Sequence, residues 1–170
     1  MEDTILLRAN VLTKYSPING NVDPDMYKSC ILDAQRTRLE EILGEELYAK
    51  IVDDFENDTL SGDYLTLYDK YIEPFLVHQS AVEYLLIGAY KIGDNGIFKT
   101  APNNATAVDK VEVDYLVKNQ RNKADMYKER LQRWLAKNLL PEYRITTETI
   151  VPPLQNALVF NRWLLCDHER

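Results

Sequence analysis

Histidine, paired carboxylates and clustered tyrosines are the side chains of this sequence that could do chemistry. His78 lies within an apolar helical pattern, where it could act as a ligand or as a general base. No closely spaced Cys or His accompanies it, so we predict a core histidine satisfied by a hydrogen bond. The 2 histidines and 6 glycines form no H-E-x-x-H, G-x-G-x-x-G, P-loop or G-x-S-x-G motif. We therefore expect no catalytic residue, no cofactor and no enzymatic activity.

Carboxylates recur at every second position in Asp54, Glu56 and Asp58. This spacing resembles the start of a calcium loop, in which alternating carboxylates converge on one hard cation. Such a loop needs a glycine at its sixth position and a glutamate at its twelfth, but Thr59 and Leu65 stand there. We therefore predict a solvated acidic turn and no metal site.

The chain has 11 tyrosines, and Tyr64, Tyr68 and Tyr71 follow one helical stripe. An aromatic ring with a polar tip suits a ligand-binding cage, but it suits a protein core equally well. We expect core packing.

Arg38 lies among the apolar residues of the first predicted helix, so its charge either extends to the edge of the core or pairs with a carboxylate of another helix or subunit. We favour the extended arrangement.

Net charge and cysteine content limit the function classes and the cellular environments that suit this protein. The 170 residues carry a net charge of -7, with a pI near 4.9, and fit a single domain. Lys and Arg supply most affinity for nucleic acid, so a DNA-gripping protein is disfavoured, whereas one that only surrounds DNA is not. Cys30 and Cys166 lie far apart, and we expect both to be reduced. No apolar run approaches ~18 residues and the N-terminus is acidic, so we expect a soluble, non-exported protein.

Apolar periodicity predicts a mainly α fold: a bundle of about four helices with a long inter-helix loop and an extended C-terminal arm. Residues 1–22 have no lasting period and indicate turns or loop. Helices are expected from an Asp23-Pro24 cap to Gly44, at 45–55, at 64–89 with a kink or fresh start at Pro74, and from Val108 to before Pro141. The predicted loop spans 93–107.

The segment after Pro141 differs from the bundle. Residues 144–151 alternate β-branched and polar types, and Pro152-Pro153 excludes a helix. Exposed apolar surface costs about 25 cal/mol per Å², so the end of this arm must dock on its own bundle or on a neighbouring subunit. Its candidate contact residues are Leu158, Phe160, Trp163 and Leu164. We thus divide the chain into an N-terminal segment (1–22), a helical bundle core (23–140) and a C-terminal arm (141–170).

A series of short motifs resembles one protein family. They are Tyr15–Asp23, Ala34-Gln35, Ile42–Gly44, Leu47-Tyr48, Leu67–Pro74, Asp94–Ile97, Tyr127–Leu131 and Pro141–Tyr143. In this order and helical context they resemble the head-tail connector (adaptor) proteins of tailed bacteriophages, over about residues 5–143.

This resemblance implies a subunit of a homo-oligomeric ring, expected to be a dodecamer, in the neck of a virion. The ring would lie below the portal protein, extend the DNA channel and dock other neck or tail proteins. DNA would pass through its lumen without specific binding, no membrane would be involved, and the subunit would be made in the host cytoplasm. Family members contact the portal and their neighbours through the inter-helix loop and the terminal arms. Ile97, Phe98 and Lys99 thereby become candidate subunit or portal contacts.

Two other classes of function stay open. A DNA-packaging ring protein would need a basic helix or patch on its surface. A small-molecule-binding helical domain would use His78 and the tyrosines to line a pocket.

Overall fold

A computed structural model describes residues 4–18, 22, 24–87, 90–93, 96–99 and 110–143, which form a helical bundle with one short hairpin. The elements are α1 (Ala9–Tyr15), α2 (Pro24–Ala34), α3 (Glu40–Leu43), α4 (Glu45–Glu56), α5 (Gly62–Leu67), α6 (Glu73–Ile87), β1 (Tyr90–Gly93), β2 (Gly96–Lys99) and α7 (Lys110–Leu135). A first π-helical segment, Gln35–Leu39, joins α2 to α3, and a second, Tyr68–Ile72, joins α5 to α6. The predicted mainly α fold class is confirmed. Among these residues, no helix has the length and apolar character needed to cross a bilayer.

Local sequence signals explain where the first long helical stretch begins and ends. Pro24 is the first residue of α2, a position where its missing N–H costs no hydrogen bond. The stretch continues through the first π-helical segment and α3 and ends at Gly44. Gly44 has a φ of 77°, a conformation that side chains disfavour, and α4 begins directly after it. The predicted helices at 23–44 and 45–55 are therefore confirmed for the described residues.

The second π-helical segment lies immediately before Pro74. Proline lacks an N–H, and its ring clashes with the carbonyl group four residues earlier, here that of Lys70, in a regular α-helix. Lys70 belongs to the wider π-helical turn, which relieves this clash without breaking the helix. A fresh helix start at Pro74 was wrong, because the helix is continuous there, and the π-helical segment is the irregularity that the structure shows next to this proline.

α6 is the central helix of the bundle. It packs against α7 along most of its length, against α2 on another side and against α1. Its buried residues therefore surround the helix and form no single stripe: Phe75, Leu76, Val77, Ser80, Ala81 and Val82. A helix that is covered on several sides needs this apolar composition around its circumference.

The prediction of turns or loop for residues 1–22 was wrong at Ala9–Tyr15, which form α1. This helix buries Leu12 in the core, and the chain buries Leu6 and Leu7 before the helix and Ile18 after it. Two turns are too short to display a helical period in the sequence. Such a short helix is stabilised by tertiary packing more than by its own propensity.

The predicted loop at 93–107 was wrong where the hairpin forms; α6 is described to Ile87, and residues 88–89 of the predicted helix lie outside the described residues. β1 and β2 are antiparallel, with Tyr90 opposite Lys99 and Gly93 opposite Gly96. The Asn-Gly pair in the sequence between the two strands is a common hairpin signal. The rest of the predicted loop, 100–107, lies outside the described residues.

α7 spans Lys110–Leu135 and ends before Pro141, as predicted, while residues 108–109 of the predicted helix lie outside the described residues. Leu131, Leu135 and Leu140 are buried, so the chain after α7 still packs on the bundle. The predicted arm after Tyr143 lies outside the described residues. Its candidate contacts, Leu158, Phe160, Trp163 and Leu164, and the division of the chain at 22 and 140 stay predictions.

Candidate interaction surface

His78 joins the two longest helices through a side-chain hydrogen bond. Its Nδ1 lies 2.8 Å from Oε1 of Gln120 on α7, and a neutral imidazole protonated at Nδ1 donates this bond. The aromatic ring of Tyr127 stacks on the imidazole with centroids 5.6 Å apart. Burial lowers the pKa of His78 from its ordinary value, so the imidazole is neutral near pH 7. The predicted hydrogen bond is confirmed, whereas His78 is half-buried at the edge of the core and not within it.

A surface cleft of about 310 Å³ lies beside His78 and Tyr127. Its other lining residues are Val11, Tyr15, Glu73, Pro74 and Val77. The volume is at the lower limit of small-molecule pockets. Burial raises the pKa of Glu73, and Asp69 adds to this effect. The Nδ1 of His78 is engaged by Gln120, and no hydrogen bond joins His78 to Glu73 in the described part of the chain.

The alternating carboxylates bind different partners and do not converge. Asp54 accepts hydrogen bonds of 2.6 and 2.7 Å from Nζ of Lys50 and one of 3.0 Å from Oγ1 of Thr59. The bond from Lys50 holds the pKa of Asp54 below its ordinary value. Glu56 instead accepts a bond from Thr4 at 3.2 Å. In the part of the chain that the structure describes, no three His, Cys, Asp or Glu side chains are placed to hold a metal ion.

The tyrosines of the predicted stripe contact separate neighbours, so they form no cage. Tyr64 donates a hydrogen bond to Glu142 at 2.7 Å, Tyr68 donates one to the carbonyl of Leu6 at 2.6 Å, and Tyr71 packs on Trp134 with centroids 5.7 Å apart. These contacts fasten helices and the N-terminal segment to each other, which agrees with the expected core packing.

Large apolar side chains are exposed where α6 ends and α7 begins. The pairs Tyr71–Trp134 and His78–Tyr127 show that the two helices are antiparallel, so the first turns of α7 extend beyond Ile87. We call this surface the apolar end; its residues are Leu86, Ile87, Val111, Tyr115 and Leu116. The sequence reasoning missed it because the tertiary pairing of the helices decides which apolar residues stay uncovered.

The hairpin that carries three predicted contact residues lies between α6 and α7 along the chain, and both of these helices contribute residues to the apolar end. β1 begins three residues after Ile87, and Ile97, Phe98 and Lys99 lie in β2. Ile97 is opposite Ile92, and Phe98 is opposite Lys91. Their role as subunit or portal contacts stays a prediction.

Most of α7 and the two residues after it carry a concentration of positive charge that the overall composition conceals. Residues 116–137 contain seven Lys or Arg and two Asp or Glu, a local net charge of +5. Spacings of seven, three and four residues place exposed cations on one side of the helix and its continuation. We call them the basic row; they are Lys123, Arg130, Arg133 and Lys137.

Aromatic rings lie beside the basic row. The guanidinium of Arg130 is 5.3 Å from the ring centroid of Tyr127 and 5.8 Å from that of Tyr71. Such contacts restrain a guanidinium without neutralising its charge. Arg130, Arg133 and Lys137 line a shallow cleft of about 260 Å³ with Tyr71 and Trp134. The cleft thus combines three cations with two aromatic surfaces.

A second groove runs along another side of α7. Arg38 is exposed and lines this groove, which agrees with the expected extension of its charge to the edge of the core. Arg121 and Lys128 face the same groove together with Glu83 and Asp125. Its charges are therefore mixed, unlike those of the basic row.

The model of one protein family, the family of unknown function DUF6712, matches residues 39–152. The matched range covers more than half of the chain and runs from the first π-helical segment past the end of α7. No curated protein and no solved structure has a significant match to the chain.

Proposed function

We propose that this chain, which belongs to the DUF6712 family, is a structural subunit of a phage head-tail connector. In this proposal the subunits form a ring below the portal protein, extend the DNA channel and dock tail components. The observation that carries the proposal is the apolar end of the α6–α7 pair, because it is a surface suited to protein contacts.

The exposure of the apolar end is high for side chains of this type. Val111 is 72% exposed and Tyr115 is 68% exposed, and Leu86, Ile87 and Leu116 are exposed as well. Contiguous apolar patches on soluble proteins mark contact sites, because each Å² removed from water contributes about 25 cal/mol. This surface adjoins the inter-helix connection, the region that the resemblance assigns to portal and neighbour contacts.

The side chains that could do chemistry form hydrogen bonds to structural partners, which supports a non-enzymatic role. His78 is held by Gln120, and Asp54 is held by Lys50 and Thr59. These contacts give both side chains a structural role in the bundle. The proposal therefore assigns this protein no reaction.

Electron microscopy and native mass measurement of the chain with and without portal protein test this proposal. We expect a closed ring of many copies, a dodecamer by the resemblance, that binds the portal. The double variant Val111→Glu/Tyr115→Glu should weaken assembly because it places charge on the apolar end. Leu139→Glu is the matched control, since Leu139 is 93% exposed and lies after the opposite end of α7. A chain that neither forms a ring nor binds portal would contradict the proposal.

The basic row favours a second candidate, a DNA-handling ring of the packaging machinery. Such a protein neutralises phosphates with Lys and Arg, and its affinity falls with added salt. Four cations in contact with phosphates would give a slope of about -4 in a plot of log affinity against log salt concentration. Filter binding of duplex DNA by the intact chain measures this slope. Absence of salt-sensitive binding would exclude this candidate.

A further inference from the structure

Charge is segregated between two parts of this chain. Residues 24–87 contain 14 acidic and 5 basic residues, a net charge of -9, whereas residues 116–137 carry +5. The overall charge of -7 conceals this difference. Surfaces of opposite sign on one molecule attract a second copy in a defined orientation.

Four glutamates flank Gly44. We call this surface the acidic shoulder, and its residues are Glu40, Glu41, Glu45 and Glu46. Glu41, Glu45 and Glu46 are exposed, and Glu40 is half-buried. Glu45 and Glu46 occupy the first turn of α4, where the helix dipole favours negative charge. Lys50, on the next turn of α4, is engaged by Asp54.

The acidic shoulder and the basic row lie on different sides of α7. Ile42, within the shoulder, lines the same groove as Arg121 and Lys128. The basic-row residues Lys123 and Arg130 each follow one of these two cations by two positions, which is a rotation of about 200° around a helix. The row therefore lies on a different side of α7 from the groove that Ile42 lines, and its cations are exposed to a second copy.

We propose that the basic row of one copy docks on the acidic shoulder of the next copy. The contact is heterologous, since two unlike surfaces meet, and repetition of such a contact closes a ring when the rotation permits. This inference rests on the proposed function and identifies the surfaces that would join neighbouring subunits. Tyr71 and Trp134 form an aromatic floor between the cations, and Arg130 is restrained by Tyr71 and Tyr127, which lowers its entropic cost of pairing.

A second copy fits the basic row better than nucleic acid does. The chain around the row is acidic, with a net charge of -7 overall, and it repels a polyanion that approaches from solution. The same chain supplies an exposed surface of the complementary sign. The row from Lys123 to Lys137 is about 21 Å long, enough for the side chains of one short helical shoulder.

Charge reversal in the full-length chain tests the docking. The row variant is Arg130→Glu/Arg133→Glu, and the control Lys14→Glu/Lys70→Glu makes the same charge change at exposed residues that do not line the basic cleft. Native mass measurement and sedimentation give the association constant, and circular dichroism checks the fold. We expect the row variant to lower the association constant at least about tenfold and the control to change it much less.

A compensating variant decides whether the two named surfaces meet. Adding Glu41→Lys/Glu45→Lys to the row variant reverses the signs of both surfaces in one chain, so association should return towards the wild-type value. Wild-type association should also weaken as salt rises, because exposed charges are screened. Normal association of the row variant, or a compensating variant that stays dissociated, would overturn the inference.

Three further results separate this inference from the proposed function. A row variant that assembles normally but loses salt-sensitive DNA binding overturns the docking and supports the DNA-handling candidate. A row variant that still forms portal-bound rings overturns the docking while the connector proposal stands. A wild-type chain that stays monomeric at high concentration overturns the docking, and its binding to portal protein then tests the connector proposal separately.

Discussion

The side chain of Gln35 accepts a hydrogen bond of 2.8 Å from the backbone N–H of Leu6. The same amide donates a hydrogen bond to the carbonyl of Thr4 at 3.1 Å. Tyr68 donates a bond of 2.6 Å to the carbonyl of Leu6, so both backbone polar groups of this residue have side-chain partners. Buried backbone groups outside regular structure need such partners. Gln35 and Tyr68 therefore attach the N-terminal segment to the bundle.

Replacement of Gln35 by leucine should destabilise the protein. Gln35→Leu preserves much of the volume but leaves the N–H of Leu6 and the carbonyl of Thr4 without their partner. We expect the free energy of unfolding in urea to fall by about 1–3 kcal/mol. Gln132→Leu is the control, because Gln132 is exposed and its replacement should change stability by less than about 0.5 kcal/mol. Equal effects of the two variants would contradict the role of Gln35.

Truncation of Leu131 should produce a larger loss. Leu131 is fully buried at the face of α7 that meets the core. Leu131→Ala removes buried carbon atoms and leaves a cavity, so the free energy of unfolding should decrease by about 2–5 kcal/mol. Leu139→Ala changes the same residue type at a site that is 93% exposed, and thermal unfolding should barely detect it. Similar melting temperatures for the two variants would show that α7 does not pack as described.

The protein should lose stability in mild acid because of His78. Burial holds the pKa of the folded-state imidazole below its ordinary value of 6.5, so the unfolded chain binds more protons once the pH falls below that value. The contribution of His78 is fully present above about pH 6.5 and is lost as the pH falls towards the lowered pKa. His78→Gln removes the titrating group, and its unfolding free energy should fall less than that of the wild type between about pH 7 and about pH 5. Parallel profiles for the two proteins would contradict this assignment.

Deletion of Leu154–Arg170 should leave a folded bundle and weaken subunit association. The described core contacts end at Leu140 and Tyr143, so the deletion removes none of them. Circular dichroism should retain the helical signal, and native mass measurement should show smaller assemblies. A full-length chain with Phe160, Trp163 and Leu164 replaced by serine separates apolar contacts from chain length. Complete assembly of the truncated chain would remove the arm from the interface.

Local signals in the sequence were sufficient for the longest helices. Pro24 and Gly44 act on the backbone at their own positions, and Pro141 limits α7 from a few residues away. The spacing of buried residues along α7, such as Val117, Ala124 and Leu131, also has a helical period because α7 buries one face. These features depend on near neighbours in the chain, and near neighbours are visible in a sequence.

The features that the sequence analysis missed depend on distant partners. Gln35 is 29 residues from Leu6 and looks like any polar helix residue. The basic row was hidden because its cations are diluted by the acidic remainder of the chain, and its aromatic neighbour Tyr71 comes from another helix. The hydrogen bond of His78 was predicted correctly because its apolar surroundings are local, whereas its partner Gln120 could be identified only once α6 and α7 were paired.

The π-helical segment at Tyr68–Ile72 also determines how far the side chains of α6 are rotated, about the common helix axis, relative to those of α5. Tyr64 and Tyr71 are seven residues apart, so a regular α-helix would direct them almost the same way. The additional residue in the turn corresponds to a rotation of about 100° across the segment. Tyr64 accordingly bonds to Glu142 beside Lys50 of α4, whereas Tyr71 packs on Trp134 of α7. A deletion of one residue in this segment would restore a regular helix and leave only one of these two tyrosines aligned with its neighbour.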